Sequence, residues 1–185
     1  LDQALADSAA AGLPAINVAP NQGKLLKLLA EMTGARRILE VRTLGGYSTI
    51  WLGRALPADG RLVTLEYEPK HAAVARKNLA RAGLAGRVEV RVGRGVDLLP
   101  ALAGEAPFDF TFIDADKASN PDYFAWALKL SRPGSAIVVD NVVRGGAVTD
   151  ADGDANVQGI RRMMRMITAE PRVNATAVQT VRSAE

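Results

Sequence analysis

Short apolar runs alternate with helical patterns along the whole chain, and this alternation constrains the fold more than any other feature of the sequence. Glycine and proline separate the two patterns at most of their boundaries. The predicted strands are Arg37–Val41, Arg61–Glu66, Val88–Val92, Phe108–Ile113, Ala136–Asp140 and Val173–Val181, the last with alternating apolar and polar residues. Strands that alternate with helices predict an α/β fold with one doubly wound, mostly parallel sheet. Ligands of such sheets bind beyond the carboxyl ends of the strands.

The composition fits a single domain covering residues 1–185. A chain of 185 residues with 48% hydrophobic content is long enough for one sizeable core. It contains no cysteine, which excludes a disulfide scaffold and leads us to expect a cytoplasmic location. No apolar run reaches the roughly 18 residues of a membrane span, so no membrane partner is expected. The net charge of +3 comes from scattered arginines without a basic tract, so no nucleic-acid partner is expected either.

Acidic and amide side chains follow two neighbouring predicted strands. Asp114 comes directly after Phe108–Ile113, and Asp140 and Asn141 end the next apolar run. These side chains offer hard oxygen ligands, and the chain has one histidine, His71, far from this segment. Magnesium, calcium or manganese therefore fits better than zinc. Asp and Asn at strand ends also begin turns and cap helices, and that alternative stays open.

The turn after the first predicted strand contains glycines that would let the backbone approach a ligand closely. It runs through Glu40–Ser48 and includes Gly45 and Gly46, but Arg42 stands where a dinucleotide-binding motif would have its first glycine. Glu66 ends the next strand, where an acid can accept hydrogen bonds from ribose hydroxyls, although a solvated surface role is the alternative. Together these strand ends favour a ligand that contains ribose and need not carry phosphate.

Four segments together resemble the cation-dependent O-methyltransferases, the family of catechol and caffeoyl-coenzyme A O-methyltransferases and their bacterial relatives. The segments are Glu40–Ser48, Glu66, Phe108–Lys117 and Val138–Asn141, and the likeness covers nearly the whole chain. The resemblance implies a Rossmann-like class I methyltransferase domain that binds S-adenosylmethionine. It further implies methyl transfer to a hydroxyl of a catechol-like or other small aromatic acceptor, with Mg²⁺ or another hard divalent cation such as Mn²⁺ or Ca²⁺ holding the acceptor oxygens. A homodimer is expected on the same ground.

The resemblance also implies roles for individual residues. The implied cofactor-binding residues are Val18, Glu40, Arg42, Thr43, Gly46, Ser48, Glu66, Gly93, Gly95 and Asp114, with Glu66 on the ribose and the two later glycines near the adenine. The implied metal ligands are Asp114, Asp140 and Asn141, and Lys117 matches the proposed general base. Asp116, Lys117, Asn141 and the Asn120–Tyr123 stretch are expected to face the acceptor.

Arg42 departs from the family pattern, which usually has glycine at this position. A long cationic side chain there must turn away, occupy the cofactor pocket, or pair with a carboxylate such as Glu40, Glu66 or that of the bound methionine group. Weaker cofactor binding is the direct expectation. Arg42 therefore supports an alternative function, a catalytically impaired dimeric binding protein with the methyltransferase fold. A nicotinamide-dependent oxidoreductase is disfavoured because its glycine pattern is missing.

The two ends of the chain also differ from the family pattern. Family members usually continue past Val173–Val181 into one more strand, and this chain begins at Leu1 without a methionine. We therefore expect a trimmed form of the domain in which the last antiparallel strand is missing. In that case Val173–Val181 would become an edge strand.

Overall fold

Five parallel strands form the single sheet that the computed structural model describes within residues 1–180. Their order across the sheet is β3-β2-β1-β4-β5. The strands are β1 (Arg37–Val41), β2 (Arg61–Glu66), β3 (Val88–Val92), β4 (Phe108–Ile113) and β5 (Ser131–Val139). The predicted α/β class and doubly wound, mostly parallel sheet are confirmed. The chain adds β2 and β3 on one side of β1 and then β4 and β5 on its other side. In sheets of this kind, the ligand crevice opens between the two strands where this change of side occurs, here β1 and β4.

Helices connect successive strands and cover both faces of the sheet. They are α1 (Asp2–Ala10), α2 (Pro20–Met32), α3 (Tyr47–Gly53), α4 (Pro69–Arg81), α5 (Gly95–Leu98), α6 (Asn120–Lys129) and α7 (Ala155–Ala169). Short 3₁₀ segments cover Leu99–Glu105, Lys117–Ser119 and Arg144–Thr149. Prolines open α2 and α4 at a position where no backbone hydrogen bond is lost. No helix within residues 1–180 combines the length and apolar character needed to cross a membrane.

Two apolar clusters hold the helices against the sheet, one on each face. Successive residues of a strand point to opposite faces, so Ile38 joins one cluster and Leu39 joins the other. Phe110 and Phe112 of β4 pack in the first cluster, while Ile113 packs in the second. Strands β1, β2 and β4 are buried on both faces, which explains why they read in the sequence as nearly continuous apolar runs.

The register of the central strands brings their carboxyl ends to one edge. Val41 at the end of β1 is the partner of both Leu65 and Ile113. Backbone hydrogen bonds continue just past the strands, because Asp114 N–H donates to Val41 O at 3.1 Å and Asp140 N–H donates to Ile113 O at 3.0 Å. The polar side chains that follow β1, β2, β4 and β5 therefore lie along the same edge of the sheet.

The last part of the chain differs from the sequence-based prediction in two ways. The strand predicted at Ala136–Asp140 begins earlier, at Ser131, and lies at the edge of the described sheet with partly exposed residues. The strand predicted at Val173–Val181 is wrong for residues 173–180, which form no strand, and Val181 lies outside the described residues. An alternating pattern does not make a strand without a neighbouring strand to bond to, and β5 has no second neighbour among residues 1–180.

Candidate active site

The turn after β1 is held in place by a buried carboxylate on β2. Glu66 Oε2 accepts hydrogen bonds from the backbone N–H groups of Thr43, at 3.0 Å, and Leu44, at 2.7 Å. The turn contains three residues in the left-handed region, Arg42 at φ 89°, Leu44 at φ 50° and Gly46 at φ 86°. Only glycine adopts this region without cost, so Arg42 and Leu44 are strained. The buried acceptor at Glu66 stabilises a turn that the local sequence alone does not favour.

Glu40 is a fully buried carboxyl group surrounded by hydroxyls. The side chains of Ser48, Thr49 and Thr64 donate to it at 2.6, 2.5 and 2.7 Å. Burial raises the pKa of Glu40 to about 7, although the three hydroxyl hydrogen bonds oppose this shift. Glu40 therefore titrates close to neutral pH. A positively charged group bound nearby would favour its ionised form.

Asp114 binds two cationic side chains at the carboxyl end of β4. Lys117 Nζ donates to Asp114 Oδ1 at 2.7 Å, and both side chains are buried. Arg42 Nη1 lies 3.6 Å from Asp114 Oδ2 and donates to the Asp114 backbone carbonyl at 3.1 Å. The partner of Arg42 is thus Asp114, not Glu40 or Glu66. Burial raises the pKa of Asp114, the charges of Lys117 and Arg42 lower it, and the charge of Asp140 raises it further.

Asp140 and Asn141 follow β5, the neighbour of β4. Asp140 Oδ2 accepts from Gln22 Nε2 at 2.6 Å, and Oδ1 accepts from the backbone N–H of Asn141 at 2.6 Å and from its Nδ2 at 3.1 Å. Asn141 is left-handed at φ 57°, a conformation that asparagine tolerates better than most residues. Asp140 N–H donates to the carbonyl of Ile113, the residue before Asp114, which places Asp140 beside Asp114, and the charge of Asp140 raises the pKa of Asp114.

These side chains suit a hard divalent cation by their chemistry. Two carboxylates and one amide offer only oxygen ligands, and magnesium commonly takes one or two carboxylates and leaves its other positions to water or substrate. No cluster of three or more acidic or histidine side chains able to hold a metal occurs within residues 1–180. The candidate set therefore depends on the Asn141 amide as the third ligand. The charges of Asp114 and Asp140 are balanced by Lys117 and Arg42 in this arrangement.

A cavity of about 750 Å³ opens beside these groups. Lys117, Asp140 and Asn141 line it, together with Arg42 and Asp116. Residues 178–180 also border this cavity, although they form no strand. Its size is sufficient for a small aromatic molecule.

A second cavity, of about 380 Å³, shares Arg42 and Asp116 with the first. Its lining includes Glu66, His71, Gly93, Gly95 and Tyr123. A Cβ atom at Gly95 would lie 3.0 Å from Tyr123 Cε1, so a larger residue would push against the ring. The glycine at this position is therefore explained by close packing rather than by its backbone angle.

Asp116 lines both cavities. Its Oδ1 accepts from the Tyr123 hydroxyl at 2.6 Å, and its Oδ2 accepts from the backbone N–H of Ser119 at 3.1 Å. Burial opposes ionisation, but these hydrogen bonds outweigh it and hold the pKa of Asp116 below its usual range. Burial and the neighbouring carboxylate raise the pKa of Tyr123, which therefore stays a hydrogen-bond donor.

The structure distributes the predicted residues over three groups. The turn group contains Glu40, Arg42, Thr43, Gly46, Ser48 and Glu66, and Val18 is buried beside Arg42. The group at the ends of β4 and β5 contains Asp114, Lys117, Asp140 and Asn141, and the third group lines the 380 Å³ cavity with Gly93, Gly95 and Asp116. Within the Asn120–Tyr123 stretch, Tyr123 lines this 380 Å³ cavity and Asn120 is fully buried. Neither of these two residues lines the 750 Å³ cavity.

Several contacts were missed by sequence reasoning. Thr64 is the register partner of Glu40, so its contact with that carboxyl could have been found by aligning β1 with β2. His71, in the first turn of α4, has its Nδ1 3.3 Å from Glu66 Oε1. Gln22 lies on α2, 118 residues before Asp140, and no local pattern signals that contact.

Comparison with known proteins identifies the family. A sequence model described as O-methyltransferase matches residues 1–183. The chain belongs to the O-methyltransferase family. It is 57% identical over 176 residues to the catechol O-methyltransferase of Niastella koreensis, covering 94% of this chain and 80% of that protein. It is 56% identical over 181 residues to the catechol O-methyltransferase of Mycobacterium tuberculosis, covering 98% and 82%.

Solved structures of O-methyltransferases share the fold. The Bacillus cereus enzyme in complex with SAH superposes with a TM-score of 0.95 at 59% identity, covering 97% of this chain and 83% of that one. TomG of Streptomyces achromogenes, involved in tomaymycin synthesis and solved in complex with SAM, superposes with a TM-score of 0.93 at 56% identity, covering 98% and 84%. The resemblance drawn from the sequence is thus confirmed, and so is the prediction that the chain belongs to an enzyme family.

Proposed function

We propose that this O-methyltransferase moves the methyl group of S-adenosylmethionine to a hydroxyl of a catechol-like acceptor with the help of a hard divalent cation. The observation that carries the proposal is the buried Asp114–Lys117 pair beside Asp140 at the carboxyl edge of β4 and β5. The catechol O-methyltransferases at 56% and 57% identity support the class of acceptor. The relatives solved with SAM or SAH support the cofactor.

The cation, for which Mg²⁺ is our first choice and Mn²⁺ or Ca²⁺ the alternatives, would be held by Asp114, Asp140 and Asn141. An acceptor hydroxyl is a poor nucleophile while it is protonated. A cation bound there would stabilise the ionised form of this hydroxyl electrostatically. Gln22 on α2 donates a hydrogen bond to Oδ2 of Asp140. The Asn141 amide lies beside the same carboxylate, because its Nδ2 donates to Oδ1 of Asp140.

Lys117, in its uncharged amine form, is the proposed proton acceptor. Its side chain is buried, Asp114 Oδ1 holds Nζ at 2.7 Å, and the residue lines the 750 Å³ cavity in which the acceptor would lie. A positioned side chain within hydrogen-bond reach of the acceptor hydroxyl is what general base catalysis needs. Asp116, which borders both cavities, would face the acceptor on one side and the cofactor on the other.

The cofactor would occupy the 380 Å³ cavity and the turn after β1. Glu66 and the glycines Gly93 and Gly95 line this cavity, in keeping with ribose and adenine contacts. Glu40, Thr43, Gly46 and Ser48 would surround the methionine part with Val18. Since Glu40 titrates near pH 7, the cationic groups of S-adenosylmethionine would favour its ionised form and gain affinity from it.

The test is methyl transfer to a panel of catechols, measured by mass spectrometry of the product. We expect wild-type activity with Mg²⁺ and a loss of at least a hundredfold in Asp140→Ala. Asp152→Ala removes an exposed carboxylate outside the site and serves as the matched control. Equal activity of Asp140→Ala and the control would refute the role assigned to Asp140.

Arg42 supports a second candidate, a catalytically impaired dimeric binding protein. Its guanidinium reaches Asp114, so it competes with a cation for the same carboxylate. Calorimetric titration with S-adenosylmethionine in the presence of Mg²⁺, on the wild type and on Arg42→Gly, separates the two candidates. Tight binding by both proteins supports the enzyme. Binding by Arg42→Gly alone supports the impaired protein.

We also propose that the protein is a cytoplasmic homodimer. Helix α2 presents Leu28 and Met32 to the surface one turn apart, with 43% and 82% of each residue exposed. Burying such residues between two copies would be favourable. Light scattering after gel filtration tests the dimer, and Met32→Lys should shift it toward the monomer. An unchanged mass of the variant at micromolar concentration would exclude this surface as the interface.

A further inference from the structure

An arginine stands at or directly before the start of each of three adjacent parallel strands. Arg37 is the first residue of β1 and Arg61 the first of β2, and the two are register partners. Arg87 directly precedes β3, and its carbonyl accepts the N–H of Leu62 at 2.9 Å. Since neighbouring strands are about 4.8 Å apart, the three residues start in a row about 10 Å long. This row lies at the amino edge of the sheet, opposite the candidate active site.

A cavity of about 410 Å³ opens at this edge, and all three arginines line it. Each guanidinium is held by an uncharged group. The Arg37 guanidinium carbon lies 5.6 Å from the centroid of the Phe108 ring. Arg61 Nη1 donates to the Gly60 carbonyl at 3.0 Å, and Arg87 Nη1 donates at 3.1 Å to the carbonyl of Leu56, in the segment after α3. A guanidinium carries five N–H donors, so each arginine keeps donors for a ligand.

The acids near the cavity do not neutralise these arginines. Glu89 and Glu105 also line it, but both pair with Arg91, at 2.8 and 2.7 Å. None of the three arginines has an acidic ion-pair partner within residues 1–180. The three arginines and Arg91 carry four positive charges against the two negative charges of Glu89 and Glu105, so this edge of the sheet keeps a net charge of +2.

We propose that this amino-edge cavity binds a small anion that carries a di- or triphosphate group. Arginine binds phosphate oxygens through two parallel hydrogen bonds, and partly immobilised guanidiniums lose less entropy on binding. The volume is sufficient for a pyrophosphate group or for the phosphate chain of a nucleotide. The site lies at the opposite end of the strands from Glu66 and Asp114, so it does not depend on the proposed methyl transfer.

Calorimetric titration with inorganic pyrophosphate, in metal-free buffer at about 0.1 M salt, tests the proposal. We expect saturable binding to one site, weakened at least about tenfold in Arg61→Ala and in Arg37→Ala. The matched control is Arg54→Ala, because Arg54 is exposed and lies outside the cavity. Circular dichroism and thermal melting verify that the variants are folded, and having two variants keeps the test decisive if one does not fold.

Titration with ADP under the same conditions identifies the source of the phosphate. Equal affinity for ADP and pyrophosphate assigns the site to the phosphate group alone, and tighter binding of ADP assigns it to a nucleotide. Two results would overturn the proposal. One is the absence of saturable binding by the wild type at millimolar pyrophosphate, and the other is an equal loss of affinity in Arg54→Ala and Arg61→Ala.

Discussion

Replacing Glu40 by glutamine should remove a large part of the pH dependence of stability. Burial raises the pKa of Glu40 from 4.5 to about 7. Because the folded protein binds this proton more tightly than the unfolded chain does, the free energy of unfolding falls as the pH rises between these two values. The stabilisation from the protonated form is complete below pH 4.5 and is lost above pH 7.

The magnitude follows from the size of the shift. One pKa unit corresponds to about 1.4 kcal/mol, so the ionised carboxylate costs up to about 3 kcal/mol of stability at alkaline pH. Between pH 5 and pH 8 the change is about 2.5 kcal/mol. Glutamine has nearly the same shape and cannot ionise. The hydroxyls of Ser48, Thr49 and Thr64 can rotate to accept from its amide, so the variant should still fold.

Urea denaturation of the wild type and Glu40→Gln at pH 5 and pH 8 measures this effect. The difference in free energy of unfolding, variant minus wild type, should rise by about 2.5 kcal/mol from the lower to the higher pH. Glu31→Gln, which changes a surface carboxylate of α2, should show no such rise. If the free energies of unfolding of Glu40→Gln and the wild type differ by the same amount at both pH values, the raised pKa assigned to the buried Glu40 is refuted.

Three further changes test the packing and backbone of the same region. Gly23→Ala would place a Cβ 2.3 Å from the Trp51 ring, so it should lower the free energy of unfolding by about 1–3 kcal/mol. The control, Gly86→Ala, adds a Cβ in open space and should leave the melting temperature nearly unchanged. Arg42→Gly should raise the free energy of unfolding by about 1 kcal/mol, because glycine relieves the strain of the left-handed backbone. A lower free energy of unfolding in chemical denaturation would mean that the contact of Arg42 with a carboxylate outweighs the strain. Asp109→Ala should lower the unfolding free energy by about 1–3 kcal/mol, as measured in urea, because two backbone N–H groups before and at the start of β1 lose their acceptor.

The central strands could be predicted from the sequence because strands buried on both faces consist mostly of apolar residues. β1, β2 and β4 are buried on both faces and have nearly continuous apolar runs with the boundaries that the sequence predicted. β5 could not be bounded in the same way, because its first half contains Pro133 and Gly134, which ordinarily indicate a turn. In residues 173–180, the alternation of apolar and polar residues predicts which face of a strand would be buried. It does not predict whether a partner strand is available.

The site could be predicted in part for similar physical reasons. Strand ends at one edge of a parallel sheet must lie together, so the proximity of Asp114 and Asp140 follows from the strand order. The position of Arg42 does not follow, because the carboxylates named from the sequence did not include Asp114, and its contact with Asp114 depends on the three-dimensional shape of the turn. Glu66 was expected to meet a ligand, and its contacts with Thr43 and Leu44 show that it also holds the turn.

The cation requirement is the central claim of the proposed function. The most direct test measures the initial rate of methyl transfer from S-adenosylmethionine to catechol after treatment with EDTA, and again after addition of Mg²⁺ or Mn²⁺. We predict that chelation abolishes the rate and that either ion restores it in the wild type but not in Asp140→Ala. A methyl-transfer rate that EDTA leaves unchanged would contradict the assignment of Asp114, Asp140 and Asn141 as a cation site.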